Sequence, residues 1–136
     1  MNRRVFLDVQ AGELEKILSG VKTMLVKEFV PAHPICQGDS LFFLRDREDC
    51  TVRVKAAVAQ VLYMGVYLDG DLSQVLKELQ HNLHLTEDQY NAWSAKQQVL
   101  LVKLDAAQKV DLIHVSPGKT ADRSDWISFA TFDEIT

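Results

Sequence analysis

Apolar residues recur along the chain with two periods, and the period that holds locally predicts the element. In the stretch Gly12 to Phe29, GELEKILSGVKTMLVKEF, residues Leu14, Ile17, Leu18 and Val21 fall at i, i+3, i+4 and i+7, which predicts a short amphipathic helix. Gly20 supplies the stop, since glycine adopts positive φ without steric cost. Lys22 just beyond it is placed to meet the negative end of the helix dipole or to enter an adjoining cleft. Arg4 to Val9 alternates and predicts a strand before this helix, and Thr23 to Phe29 predicts one after it, closed by Pro31 and Pro34. Ile35 to Ser40 reads as a turn built on Gly38-Asp39, followed by the buried run Leu41 to Leu44 and a charged tip, Arg45 to Asp49. Thr51 to Tyr63 then predicts a hairpin partner, with Val52, Val54, Ala56 and Val58 alternating with Thr51, Arg53, Lys55 and Ala57. The apolar phase slips near Ala59 to Val61 and Tyr63, which predicts a bulge or bend.

The period returns to 3.6 at Leu72, Val75, Leu76, Leu79 and Leu83, the stripe of one helix. A second helix starts at Thr86, which with Gln89 fits a capping box, while Leu85 and Tyr90 fit a hydrophobic staple; it runs to about Gln98 and carries Trp93 inward. Val99 to Leu104, Leu112 to Val115 and Trp126 to Phe132 read as further strands. Many short strands with helices at the ends predict an α+β architecture: a small β-barrel, a flanking N-terminal helix and a two-helix insert between roughly Leu72 and Gln98.

Length and composition narrow the class. A chain of 136 residues fits one domain, residues 1–136, and 47% hydrophobic with 25% charged residues is ordinary globular usage. The longest apolar run, Ala56 to Leu68, is broken by Gln60 and is too short for a membrane span. Val5 to Leu7 before Asp8 is too short for a signal-peptide core, so a soluble cytoplasmic protein with no membrane partner is expected. Cys36 and Cys50 form no CxxC pair and are expected to be free thiols. Residues 1–60 hold nine Lys and Arg against eight Asp and Glu, and residues 61–136 hold six against eleven, so charges of +1 and −5 lie within the net −4. That balance excludes a general DNA coat and leaves room for a local basic cleft.

Helix, SGVKT, strand, PICQGDSLFF and the strand VRVKAAVAQVLYMG together resemble the ASCH family of PUA-like barrels, over roughly residues 4–65. The family pattern is a glycine, a lysine two residues later, an acidic residue or threonine three after the lysine, and an arginine five after it. Gly20 and Lys22 match, as does the Gly38-Asp39 turn; Leu25 stands at the acid or threonine position and Lys27 at the arginine position. The resemblance implies a PUA-like barrel and two functional readings. The favoured one is binding of RNA or a nucleotide- or nucleoside-like small molecule in a cleft beside Lys22, with no cofactor. The alternative is an amidohydrolase acting on an acylated nucleoside through a threonine, a lysine and a glutamate. In that chemistry a desolvated lysine activates a hydroxyl that a carboxylate orients. Lys22 carries over as the catalytic residue, Leu25 has no hydroxyl, and Glu78 is a carboxylate with no motif around it. A protein-interaction role has only the charge asymmetry behind it.

The candidate ligand-binding residues are Lys22, Thr23, Lys27, Arg45, Arg53, Lys55 and Trp126. Strand alternation puts Lys22, Met24 and Val26 on one face and Thr23, Leu25 and Lys27 on the other. Arg53 and Lys55 share a face, and with Arg45 and Arg47 they would form a phosphate-binding rim. Trp126 after the loop ADRSD is a candidate for stacking at the barrel mouth. Ser116 to Thr120, SPGKT, lacks the earlier glycine of a phosphate loop and reads as a turn. His33 with Cys36 and His81 with His84 have metal-like spacings but no complementary second pair, so no metal site is expected.

Overall fold

Long, alternating Thr51–Gly65 forms the strand on which the others are arranged, β4 when the elements are numbered in chain order. The structure is a computed structural model that describes residues 2–8, 10–28, 35–45, 51–65, 72–96, 98–105, 107–114 and 126–129. The elements before β4 are β1 (Asn2–Phe6), α1 (Glu13–Leu18), β2 (Met24–Lys27) and β3 (Ser40–Leu44). After it come α2 (Leu72–Glu78), α3 (Gln80–Leu83), α4 (Glu87–Ser94), β5 (Gln98–Leu104), β6 (Gln108–His114) and β7 (Trp126–Phe129).

The sheet is mixed, with strand order β2-β5-β4-β3-β1-β7 and β6 also paired to β4. β1 and β3 are parallel, and every other pairing is antiparallel. The first half of β4 takes β3 on one edge and β6 on the other. Its second half, Val58 to Gly65, takes β5, and the register slips between Val58 and Gln60, at the phase change legible in the sequence. Because β3 leaves β4 near Ala57 while β5 follows it to Gly65, the terminal strands β2 and β7 hang from opposite ends of β4. No pairing among the described residues joins them. Among the described residues the sheet therefore does not close into the barrel that the sequence predicted; the α+β class with an N-terminal helix and a helical insert stands.

Alternation sorts the core into two clusters. Val5, Leu41, Phe43, Val54, Ala56, Val58, Leu100, Val102 and Leu25 converge on Leu14 and Ile17 of α1. Met24, Val26, Val99 and Leu101 point the other way, onto Leu76, Leu83 and Leu85 of the insert. β2 and β5 are thus covered on both faces, and each leucine fully buried there contributes roughly 2 kcal/mol.

Two helix predictions change. The stripe of α1 is only half buried: Leu14 and Ile17 are inside, whereas Leu18 and Val21 are exposed, because the helix ends at Leu18 and Gly20, at φ 84°, turns the chain away. The first insert helix breaks at Leu79 into α2 and α3, and the second, α4, ends at Ser94 rather than near Gln98. Its predicted start holds: Thr86 Oγ1 accepts the Gln89 N–H and Gln89 Oε1 accepts the Thr86 N–H, with Leu85 and Tyr90 in one cluster.

Candidate functional site

The end of β1, the start of α1 and the end of β2 form one wall of a cleft of about 540 Å³, and α4 forms the other. The first wall presents Phe6, Leu7, Asp8, Glu13, Val26, Lys27 and Glu28; the second presents Asp88, Gln89, Ala92 and Trp93, with Lys96 just beyond α4. Gly12, at φ 66°, makes the turn that starts α1 and brings Glu13 to the cleft, four residues before buried Ile17 and so on the same helical face.

Lys22 lies behind Glu13. Its side chain has no exposed surface, its Nζ is 3.4 Å from Glu13 Oε2, and it donates to the Leu83 carbonyl. Glu13 Oε1 accepts the Asp8 N–H at 2.7 Å. Burial pushes the Lys22 ammonium below its usual range; Glu13 partly opposes that shift, while the positive charges of Lys27 and Lys16 reinforce it. Lys16 Nζ donates to the His84 carbonyl at 3.1 Å. Lys16 and Lys22 therefore both serve the C-terminal carbonyls of α3, so the lysine beyond Gly20 meets a helix dipole, that of the insert rather than of α1.

Lys27 is buried, faces the cleft and donates to the Phe6 carbonyl at 2.9 Å. Lys22 and Lys27 thus approach one Glu13-centred region, although the alternation of β2 alone sends them apart: Lys22 precedes the strand and escapes its parity. Thr23 does not join them. Its hydroxyl donates to Asn82 Oδ1 at 3.2 Å and its N–H to the Asn82 carbonyl, which fastens β2 to the insert. Leu25 is sealed in the core, and Glu78 is exposed and accepts from Gln74, away from Lys22. A lysine and a carboxylate are therefore in contact with no hydroxyl of the described residues between them.

Of the residues expected to form a phosphate rim, Arg45, Arg53 and Lys55 are described. Arg45 pairs with Glu15 of α1 at 3.2 Å, both exposed. Arg53 and Lys55 alternate with buried Val52 and Val54 and so face away from α1; Lys55 borders a separate hollow of about 340 Å³ with Ser40, Asp105 and Gln108. Trp126 pairs with Val5 in the β1–β7 ladder. Arg47, His33, Cys50 and the SPGKT turn lie outside the described residues.

Glu13, Asp8 and Gln89 are the cleft residues that sequence reasoning missed. The i, i+4 spacing of Glu13 and Ile17 was the available signal for the first. Nothing local linked Asp8 to Gln89, 81 positions away. Among the described residues no group of three His, Cys, Asp or Glu side chains is placed to hold a metal ion, and no helix is long and apolar enough to cross a membrane.

No protein-family model and no curated protein matches the chain. Solved structures do. Two single-substitution variants of an ASCH protein from Zymomonas mobilis superpose with a TM-score of 0.70 at 16% identity, over 98% of this chain and 91% and 93% of theirs. A further ASCH structure from that organism gives 0.63 at 18% identity, over 83% of this chain and 73% of its own. The likeness at this identity is one of fold, and the chain has the fold of an ASCH domain.

Proposed function

We propose that the protein binds a nucleoside-like small molecule in the cleft between Glu13 and α4. The observation that carries this reading is the Lys22–Glu13 pair, held out of water at the back of a cleft whose opposite wall includes Trp93. Buried ion pairs are weak devices for stability, whereas a carboxylate oriented by a hidden ammonium makes a fixed acceptor for a ligand donor. Trp93 packs at the margin of the insert core and offers a surface on which a base stacks. The lining holds Asp8, Glu13, Glu28 and Asp88 against Lys27 and Lys96, which does not resemble the cationic groove that tracks a phosphate backbone. The reading is therefore a nucleoside rather than a strand of RNA. Calorimetric titration with cytidine, uridine, adenosine and guanosine tests it: at least one binds with 1:1 stoichiometry, and Trp93→Ala weakens that binding about tenfold, the scale of one stacked base. Absence of binding by all four contradicts the reading.

A second reading, hydrolysis of an N-acylated nucleoside, is favoured by the lowered pKa of Lys22 beside a carboxylate. With Thr23 tied to Asn82 and Leu25 in the core, the nucleophile in this reading is water. Turnover of N-acylated nucleosides that disappears in Lys22→Met supports it; no turnover across the panel rules it out.

A further inference from the structure

Asp8 and Gln89 face each other across the cleft, and each is locked in orientation by a different local motif. Asp8 Oδ1 accepts the N–H groups of Gln10 and Ala11 at 3.0 and 3.3 Å, which turns Oδ2 outward. Gln89 Oε1 is held at 3.1 Å by the Thr86 N–H of the capping box, so its amide cannot flip and Nε2 must point at Asp8. The two groups meet at 3.4 Å, a long hydrogen bond that leaves the second hydrogen of Nε2 and a lone pair of Oδ2 for another partner. The cleft thus presents a fixed acceptor beside a fixed donor.

We infer that Asp8 and Gln89 form a specificity element that reads a ligand edge carrying an adjacent donor and acceptor, the edge of a cyclic amide or amidine. The inference rests on the proposed binding of a nucleoside-like molecule and adds which edge of it is read and by which residues. A ligand N–H donates to Asp8 Oδ2 while its neighbouring acceptor takes the free Gln89 N–H. Methylation of that edge removes the N–H, so Asp8 Oδ2 is left desolvated and unsatisfied. A site built around such hydrogen bonds rejects analogues that cannot make them.

The test compares ligand and protein changes by calorimetry. The probes are uridine with 3-methyluridine, and cytidine with N4,N4-dimethylcytidine. The variants leave the local motifs intact. Asp8→Asn keeps an Oδ1 acceptor for the Asx turn and presents a donor in place of Oδ2. Gln89→Glu keeps the capping-box acceptor and removes the donor. The double variant restores a mutual hydrogen bond with its polarity reversed. Expected are at least tenfold weaker binding of the methylated analogue to the natural protein, at least tenfold weaker binding of the parent nucleoside to each single variant, and loss of the methylation penalty in Asp8→Asn, with thermal midpoints held within a few degrees. Equal affinity for a parent and its methylated analogue, or single variants that bind the parent unchanged, overturns the assignment and leaves the nucleoside reading standing. No binding by either parent nucleoside or either analogue overturns the assignment, and only if adenosine and guanosine also fail to bind is the nucleoside reading overturned with it.

Discussion

Replacing Lys22 by methionine isolates the ion pair behind the cleft, because methionine keeps most of the stem's volume and removes only the charge and its donors. In the folded protein the Lys22 side chain has no exposed surface and that of Glu13 keeps 10%, so the pair lies in a medium of low dielectric. Removing one member of such a pair costs about 3–5 kcal/mol, mostly from the charge left behind. Here Glu13 retains the Asp8 N–H, and the desolvation of the ammonium itself disappears, so the lower end applies: about 3 kcal/mol, or about 10 °C in thermal midpoint for a domain of this size. A double-mutant cycle with Glu13→Gln, followed by urea unfolding at pH 7, is expected to show coupling of at least about 1 kcal/mol. The pH dependence carries a second signature. The folded-state pKa of Lys22 lies below its ordinary 10.5, so the unfolded chain binds more protons between the two values. Stability attributable to this group therefore rises as pH increases from the lowered folded value toward 10.5, and the rise is absent in Lys22→Met. A Lys22→Met protein as stable as its parent, or single changes that simply add, refutes the pairing argument.

Two further outcomes follow from other parts of the fold. Asp39 is held below its usual range: burial opposes this, but the Cys36 N–H and the Arg3 guanidinium, at 2.9 and 3.0 Å, outweigh it. Its contribution is present above 3.8 and is lost as pH falls through the lowered folded value, so Asp39→Asn costs about 2 kcal/mol at pH 7 in urea melts and flattens the acid limb. Gly20→Ala meets no steric neighbour but places a side chain at φ 84°, so a loss of about 1–2 kcal/mol from backbone strain alone is expected by calorimetric melting.

The existence of the strands and the start of α4 were legible because they are local: alternation, a phase slip and a four-residue capping box each fit within a short window, although β1 lies earlier than the expected Arg4 to Val9 and β6 starts at Gln108 rather than Leu112. Nothing local marks Arg3 and Arg4 as interior, yet β1 lies inside the sheet, with β3 on one side and β7 on the other, and both arginines are buried. The open ladder was not legible either, since it depends on where along β4 two non-local partners begin and end. The same limit hid the cleft. Lys22 was visible through Gly20, but Glu13 reaches it through a left-handed turn at Gly12, and Gln89 reaches Asp8 only after the insert has docked. A lysine two residues after a helix-ending glycine marks a position; its partners are chosen by packing.

Binding in the cleft between Glu13 and α4 is tested most directly by amide chemical-shift mapping during titration with a binding nucleoside. Shifts gathered at Asp8, Glu13, Lys27, Gln89 and the Trp93 indole are expected. Shifts gathered instead on the Arg53 and Lys55 face of β4, with the cleft silent, contradict it.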